Sequence, residues 1–302
     1  MNNKAVKLYK DSSEVRNETQ YESEAEMFYS RIEDGTSLRE CLNIPEKLVI
    51  NEKGQDGWKH KKCNCKNNNG NKGMNVEKTT KDANKEPTNT EKRILRCFYY
   101  RDGKYTDRKC LGELCKIYLW NVKKKNILYG CTILDYEVPV KYKKEKVKSK
   151  KDNKIKKKES GIGNFDLLIK YENKNYAIEV KPPKNTNDNK ENKESIFRMI
   201  LEILTYDYCN CYDEKNPNKY NHNKAKIYNK NDDILNKNNG IYYELGIAFF
   251  KESKQDEQFN FHKGKFEKDK EDVIIKILKK YKITVFIISE FKDGYKIDKI
   301  YN

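Results

Sequence analysis

Apolar side chains recur at helical spacing in several stretches of the chain. Positions three and four residues apart share one side of an α-helix, so this spacing predicts a helix with one buried face. In the stretch 194–208 the repeat consists of Phe197, Ile200, Leu201, Leu204 and Tyr208. Similar repeats predict three further helices, at 21–42, 111–122 and 271–281.

Other apolar stretches are shorter, and they either alternate with polar residues or run without interruption, which is typical of β-strands. They predict strands at 132–142, 164–171, 175–181, 241–250 and 283–291. From residue 111 onward, the predicted order is a helix, three strands, a helix, a strand, a helix and a last strand. This order predicts a mixed α/β fold.

Polar segments rich in Lys and Asn separate these elements. Residues 51–92 hold too few apolar side chains to offset the entropy lost on ordering, so we expect a disordered linker there. The linker would separate an N-terminal helical segment at 1–50 from a domain at 93–302. Within that domain we expect long disordered insertions at 141–160 and 213–239.

The two strands on either side of residue 173 carry an unusual set of charges. Asp166 lies in the first strand, and Glu179 and Lys181 lie in the second. An even-numbered turn centred on residues 173–174 would place Asp166 opposite Lys181, and Leu168 opposite Glu179. All three charged side chains would then emerge from one face, because alternate residues of a strand share a face. A three-residue turn would instead move Asp166 to the other face.

These three side chains suit metal-dependent hydrolysis. Asp166 and Glu179 would form an oxygen-rich site for a hard cation such as Mg²⁺, which polarises a phosphate and lowers the pKa of a bound water. Lys181 would orient that water or stabilise charge in the transition state. A pair of solvated charges is the alternative, because Glu-x-Lys also occurs at 172/174, 191/193, 252/254 and 290/292. Among these pairs, Glu179/Lys181 is distinguished by a strongly apolar strand and an acidic partner across a hairpin.

The segment GIGNFDLLIKYENKNYAIEVKPPK resembles the second and third motifs of the PD-(D/E)XK nucleases, a superfamily with the restriction-endonuclease-like fold. The resemblance covers about half of the chain. It implies a mixed central sheet flanked by helices and Mg²⁺- or Mn²⁺-dependent hydrolysis of phosphodiester bonds. It also implies that Asp166 and Glu179 are metal ligands and that Lys181 is the catalytic lysine. Phe165 stands where the motif has its proline.

The resemblance also implies further polar residues at the site. Members often add an acidic residue from the first helix or strand, for which Glu113 and Glu137 are the candidates. Glu137 is favoured because it interrupts an otherwise apolar strand. Members often add polar residues from the helix after the hairpin, where Glu194, Arg198 and Glu202 share one side. Arg198 offers a planar fork for a phosphate, and an exposed ladder of charges is the alternative.

The charge of the chain favours a polyanionic partner. Lys and Arg total 64 against 47 Asp and Glu, which gives a formal net charge of +17. Neutralising phosphates releases counterions, so such an excess favours nucleic acid, with DNA expected over RNA. The stretch Lys141–Lys158 holds 11 Lys against two acids. A general enrichment in Lys and Asn throughout the chain is the alternative explanation.

The cysteines and the N-terminus favour an intracellular protein. Nine Cys is an odd number, and the N-terminus lacks the apolar stretch of a signal peptide. No apolar stretch is long enough to span a membrane, so no membrane partner is expected. His60, Cys63 and Cys65 lack the usual zinc spacing. Cys209 and Cys211 are expected to pack as reduced thiols, and His222 and His262 fall in polar loops without an assigned role.

Three functions are therefore compatible with the sequence. The first is a metal-dependent nuclease. The second is a non-catalytic nucleic-acid-binding protein with the same fold, which would bind without metal and tolerate loss of the carboxylates. The third is a protein-interaction module in which the three charges form a buried polar cluster. Partner binding by such a module would not depend on salt concentration or on nucleic acid.

Overall fold

The computed structural model describes residues 21–51, 127–144, 162–182, 194–229 and 240–302, together with Leu95, Phe98, Tyr99 and Leu235. Several expectations fall outside these residues. They are the helix at 111–122, the linker, Glu113, and the candidate zinc ligands His60, Cys63 and Cys65.

The described residues form five α-helices and eleven strands. The helices are α1 (Tyr21–Glu33), α2 (Leu38–Cys41), α3 (Ile196–Cys211), α4 (Lys254–Asp269) and α5 (Val273–Lys280). The strands are β1 (Leu48–Ile50), β2 (Leu128–Tyr129), β3 (Thr132–Pro139), β4 (Tyr142–Lys144), β5 (Asn164–Tyr171), β6 (Lys174–Lys181), β7 (Lys226–Ile227), β8 (Ile241–Tyr242), β9 (Glu244–Phe250), β10 (Thr284–Phe291) and β11 (Gly294–Tyr301). A 3₁₀ turn lies at His222–Lys224.

Seven strands form one mixed sheet in the order β2-β11-β10-β9-β6-β5-β3. Strands β3, β5 and β6 are a sequential antiparallel meander. The chain then passes through α3 to β9, which is parallel to β6, and through α5 to β10, which is parallel to β9. The expected mixed α/β architecture, with a mixed sheet flanked by helices, is confirmed.

The sheet has an apolar core on each face. One face, with Leu168, Ala177 and Ile247, packs against α3 and α4, and the same apolar core extends to α1 and α5. The other face, with Ile178 and Phe286, packs against Leu95, Phe98 and Tyr99. Helix α3 lies between the sheet and α1, and its residues from Ile196 to Asn210 are all buried. Polar residues of α3 are therefore held inside the protein.

The N-terminal helix belongs to the same core. The predicted helix at 21–42 is broken after α1 at Gly35, whose φ of +85° suits glycine. Ser37 then starts α2 with a capping box. The Phe28 and Phe197 rings meet edge to face with centroids 5.8 Å apart, which fixes α1 against α3.

Several elements were absent from the sequence prediction, and the longest of them are helix α4 and strand β11. Helix α4 begins at the N-cap Ser253, and it buries Phe259 and His262 one turn apart. His262 is therefore helical and buried, contrary to the expected polar loop, because its ring contacts Tyr21 Oη at 2.7 Å and Asp272 Oδ2 at 2.6 Å. Strand β11 follows β10, which was predicted to be the last strand, through a two-residue turn.

The expected insertions are partly structured. Strand β4 includes residues of the segment 141–160 and pairs with β1, far along the chain. The segment 213–239 is described to residue 229, and it packs against α3 through Tyr220, Ala225 and Ile227. These apolar residues are widely spaced among Asn and Lys, which explains why composition alone indicated solvated chain.

Gly163 allows α3 to approach the start of β5. Its φ is +126°, and a Cβ at this position would overlap the Tyr206 ring. We expect Gly163→Ala to lower the free energy of unfolding by about 1–3 kcal/mol, because it adds both an overlap and an unfavourable backbone conformation. Thermal unfolding followed by circular dichroism measures the change.

Gly264 in α4 is the matched control. A Cβ there would meet nothing within 4 Å. Since alanine favours a helix over glycine, Gly264→Ala should raise the free energy of unfolding by about 0.5–1 kcal/mol. Equal effects of the two substitutions would contradict the role assigned to Gly163.

Candidate active site

The hairpin of β5 and β6 places the three charged residues on one face, as predicted, but the predicted register is wrong by two residues. Leu168 pairs with Ala177 rather than with Glu179. Continuing this register places Asp166 opposite Glu179 rather than opposite Lys181. The turn consists of residues 172–173, one position earlier than expected, and Glu172 adopts a φ of +52° there. A register shift of two residues leaves each side chain on the predicted face of the sheet, because successive side chains of a strand alternate between the two faces.

The Asp166 carboxylate is buried between the two strands. The backbone pairing of β5 with β6 ends at Leu167 and Ile178. Directly beyond it, Asp166 Oδ2 accepts a hydrogen bond from the Val180 amide at 2.8 Å. The side chain thus supplies an acceptor to the neighbouring strand, and Asp166 is only 6% exposed. This bond fixes the orientation of the carboxylate.

The Lys181 ammonium lies among three carboxylates. Its Nζ is 2.6 Å from Glu179 Oε1, 2.9 Å from Glu202 Oε2 and 3.2 Å from Glu194 Oε2. An ammonium offers three donors, so these contacts hold Lys181 from both the sheet and the helix side. The exposed fraction of Lys181 is 5%, and that of Glu179 is 2%.

Helix α3 supplies the remaining charges. Its N-cap is Ser195, whose hydroxyl accepts from the Arg198 amide, so Glu194 precedes the helix rather than starting it. Arg198 donates from Nε to Glu202 Oε1 at 2.9 Å, and its Nη2 lies 2.7 Å from the same oxygen. Arg198 and Glu202 are 4% and 6% exposed, so the interpretation as an exposed ladder is wrong.

Glu202 is the residue whose importance the sequence did not establish. Glu202 contacts both Lys181 and Arg198. From this helix, however, the sequence favoured Arg198 as the residue of the site. The four-residue repeat of Glu194, Arg198 and Glu202 was the available signal. That repeat does not distinguish a helix side that faces solvent from one that faces a sheet.

The two buried glutamates have opposite electrostatic environments. Burial, the negative charge of Asp166 and the nearby Glu202 raise the pKa of Glu179 well above its usual range, even though Lys181 opposes them. Burial also acts to raise the pKa of Glu202, but Lys181, a hydrogen bond with Glu179 and the charge of Arg198 lower it to about 2. Glu179 is thus the carboxylate of this pair whose negative charge is the more costly to hold in the folded protein.

The cluster fits a divalent cation. Glu179 Oε2 is buried and finds no hydrogen-bond partner among the residues that the structure describes. The carboxylates of Asp166, Glu179, Glu194 and Glu202 outnumber the cations of Lys181 and Arg198 by two. A hard cation that binds oxygen would bring two positive charges to the unsatisfied oxygen. The expected ligands Asp166 and Glu179 are the two carboxylates at that position.

Glu137 lies near the cluster in the sheet. In the register of β3 with β5, Tyr136 pairs with Leu167 and Val138 with Phe165, so Glu137 lies opposite Asp166. Its φ is +50°, an uncommon conformation for glutamate within a strand. Asp135, two residues before Glu137 in the same strand, is only 1% exposed, and it was not among the residues predicted for the site. The role of Glu137 stays a prediction.

The other Glu-x-Lys pairs that the structure describes lie at the surface. Glu172 lies in the β5–β6 turn, Lys174 directly follows it, and both are exposed. Glu252 is exposed beside the start of α4, and Glu290 and Lys292 are exposed at the end of β10. Burial therefore separates Glu179/Lys181 from these pairs, as the apolar character of its strand predicted.

Comparison of the chain with protein-family models, with curated proteins and with solved structures gives no significant match. Within the described ranges, no helix is both long enough and apolar enough to cross a membrane. The assignment of function therefore depends on the geometry and electrostatics of the cluster itself.

Proposed function

We propose that this protein is a metal-dependent nuclease of the PD-(D/E)XK type that hydrolyses phosphodiester bonds, with DNA as its preferred substrate. The observation that carries the proposal is the buried cluster of Asp166, Glu179 and Lys181 on adjacent strands. Clusters of buried charge are costly to a fold, and perturbed carboxylates of this kind concentrate at functional sites.

The residues of the cluster divide the chemistry among them. Asp166 and Glu179 hold Mg²⁺ or Mn²⁺, which polarises the phosphate and acidifies a water when bound. Lys181 would keep its contacts to Glu202 and Glu194 if Glu179 bound a cation, so its ammonium would remain held on this face and could assist the attacking water or stabilise charge on the phosphate. Arg198 is held through Nε and Nη2 by Glu202, and it grips a phosphate oxygen.

The order of elements around the cluster supports the same proposal. The core of this superfamily consists of a helix, three strands, a second helix and a fourth strand. Strands β3, β5 and β6 of the main sheet, then helix α3 and then strand β9 follow this order, while β4, β7 and β8 lie between them in two small separate sheets. The first helix of that core would correspond to 111–122, which lies outside the described residues.

The charge of the chain supports nucleic acid as the substrate. The formal net charge is +17, and the stretch Lys141–Lys158 contributes more than half of it. Such a stretch contacts backbone phosphates without regard to sequence, so binding should weaken steeply as salt rises.

Cleavage assays test the proposal directly. We expect the full chain to cut DNA when Mg²⁺ or Mn²⁺ is added and to be inactive in EDTA. Asp166→Ala and Lys181→Ala should each lower the rate by at least about 10²-fold, because each removes a group aimed at the reacting phosphate. RNA of matched sequence, run in parallel, reports the substrate preference.

The variant Glu290→Ala/Lys292→Ala is the matched control, because it removes a Glu-x-Lys pair of identical spacing at the surface. Its rate should equal that of the wild type. If no protein cuts either substrate, and all bind nucleic acid with the same salt dependence, the chain is a non-catalytic nucleic-acid-binding protein.

A further inference from the structure

A second polar cluster lies on α3, toward its C-terminal end. Asp207 and Cys211 are one helical turn apart and therefore share a side of α3. His222 reaches them from the 3₁₀ turn that follows the helix. One ligand atom from each of these three residues lies within 4.8 Å of the other two. Carboxylate, thiolate and imidazole are the three side-chain groups that bind zinc in proteins.

The distances within this cluster are close to those of a tetrahedral zinc site. Asp207 Oδ2 is 2.9 Å from His222 Nδ1, and Asp207 Oδ1 is 3.5 Å from Cys211 Sγ. Usual zinc bond lengths and the tetrahedral angle separate ligand atoms by roughly 3.3–3.8 Å. With all three ligand atoms within 4.8 Å of one another, side-chain adjustments of about 1 Å or less would bring the three groups around one ion.

The surroundings of Asp207 resemble the outer contacts of a metal ligand. Its carboxylate accepts from the Tyr220 hydroxyl at 2.5 Å and from the Tyr243 hydroxyl at 2.6 Å. The backbone of Tyr243 also hydrogen-bonds His222. Hydrogen bonds of this kind fix the direction of ligating carboxylates and the orientation of ligating imidazoles.

The cluster is also accessible to an ion. Asp207 is fully buried, whereas Cys211 and His222 are partly exposed. A cation can therefore approach past the thiol and the imidazole, and solvent can supply a fourth ligand.

We propose that Asp207, Cys211 and His222 bind a zinc ion that fixes the segment after α3 to that helix. The thiol and the imidazole favour zinc over magnesium, whose ligands are oxygen atoms. This site shares α3 with the candidate nuclease site, but it uses none of the same residues. Its loss should therefore loosen the fold around α3 without removing the carboxylates that hold Mg²⁺.

Metal analysis of the purified full chain is the test. We expect about one zinc ion per chain, and a cobalt-loaded protein with a thiolate-to-metal charge-transfer band. Cys211→Ser and His222→Gln should each weaken zinc binding by at least about 100-fold and abolish that band or shift it. Adding zinc to the metal-free wild type should raise its melting temperature.

Three controls make the result specific. Cys209→Ser changes a neighbouring thiol of α3 that is not in the cluster, and it should keep zinc. The double variant Cys63→Ser/Cys65→Ser should keep zinc as well. Asp166→Ala should keep zinc while it loses cleavage, so the two proposals succeed or fail separately. A chain without zinc affinity, or one that loses zinc only in the Cys63/Cys65 variant, would overturn the proposal.

Discussion

Replacing Glu179 with glutamine is expected to abolish cleavage and, at the same time, to stabilise the protein in the absence of divalent cations. Burial and the charge of Asp166 raise the pKa of Glu179 well above its usual range, so its ionised form opposes folding. Each increase of 1 in that pKa corresponds to about 1.4 kcal/mol of lost stability. Glutamine has the same shape without the charge, and Lys181 retains contacts to Glu202 and Glu194.

The pH dependence gives this prediction a second readout. Below the unfolded pKa of about 4.5, Glu179 is protonated in both folded and unfolded states, so wild type and Glu179→Gln should differ little. As pH rises above that value, Glu179 ionises in the unfolded wild type and lowers the free energy of that state, while Glu179 of the folded wild type stays protonated. The advantage of the variant should therefore grow with pH until the folded pKa is passed.

Melting temperatures measured between roughly pH 4 and pH 9, with EDTA or with Mn²⁺, report the effect of the substitution and its pH dependence. This range runs from the pKa of an ordinary carboxyl group to that of a strongly raised one. Each kcal/mol shifts the melting temperature of a chain of this size by about 2–4 °C. Mn²⁺ should raise the melting temperature of the wild type and leave that of Glu179→Gln unchanged. A variant less stable than the wild type at pH 8 in EDTA would show that the Glu179–Lys181 pair outweighs the cost of burial.

Replacing Glu202 with glutamine is expected to have the opposite effect on stability. Glu202 contacts both Lys181 and Arg198 while only 6% exposed. Removing its charge leaves two buried cations with less compensation, which should cost about 3 kcal/mol. Because Glu202 positions these residues rather than the reacting phosphate, cleavage should fall by about 10–100-fold.

Acid should reduce the difference between Glu202→Gln and the wild type. The folded pKa of Glu202 is about 2, against a usual value of 4.5. Its contribution to stability is therefore fully present above pH 4.5 and is lost as pH falls toward 2. Urea unfolding at several pH values measures this change, and the slope of the transition reports whether the folded state has altered.

Glu194→Gln is the matched control for Glu202→Gln. Glu194 contacts the same Lys181 Nζ at 3.2 Å, but its side chain is 31% exposed. Water compensates a partly exposed pair, so the variant should change stability by less than about 1 kcal/mol. If both variants were equally destabilised, burial would not explain the importance of Glu202. Retention of full activity by Glu202→Gln would remove its positioning role.

Strands β5 and β6 were predictable because their physical signal is local. Glu179 and Lys181 are two residues apart in one apolar strand, and Asp166 interrupts the other. Any even-numbered turn pairs even-numbered positions of the first strand with odd-numbered positions of the second, so it places all three side chains on one face whatever its centre. Their shared face was predicted on the condition of an even-numbered turn, which the structure has, but the residue opposite Asp166 was predicted wrongly. That pairing depends on which two residues form the turn, and Glu172 enters an uncommon conformation to form it.

The environment of α3 was decided by tertiary structure. Its apolar repeat predicted the helix, and its four-residue polar repeat indicated one charged side. Whether that side faced solvent or the sheet depended on α1 and the segment after residue 213, both of which pack against α3. The distance from Glu202 to Lys181 and the pairing of His222 with Asp207 join residues far apart along the chain. No local spacing encodes such contacts.

The sequence by itself determined five of the seven strands of the main sheet, the common face of Glu179 and Lys181, and the excess of positive charge. Each of these is a property of side-chain periodicity or composition, which the chain carries without folding. Tertiary structure alone decided that Glu179 lacks a compensating partner for one oxygen and that Glu202 has two cations beside it. Burial sets the energy of a charge, and burial exists only once distant segments have packed together.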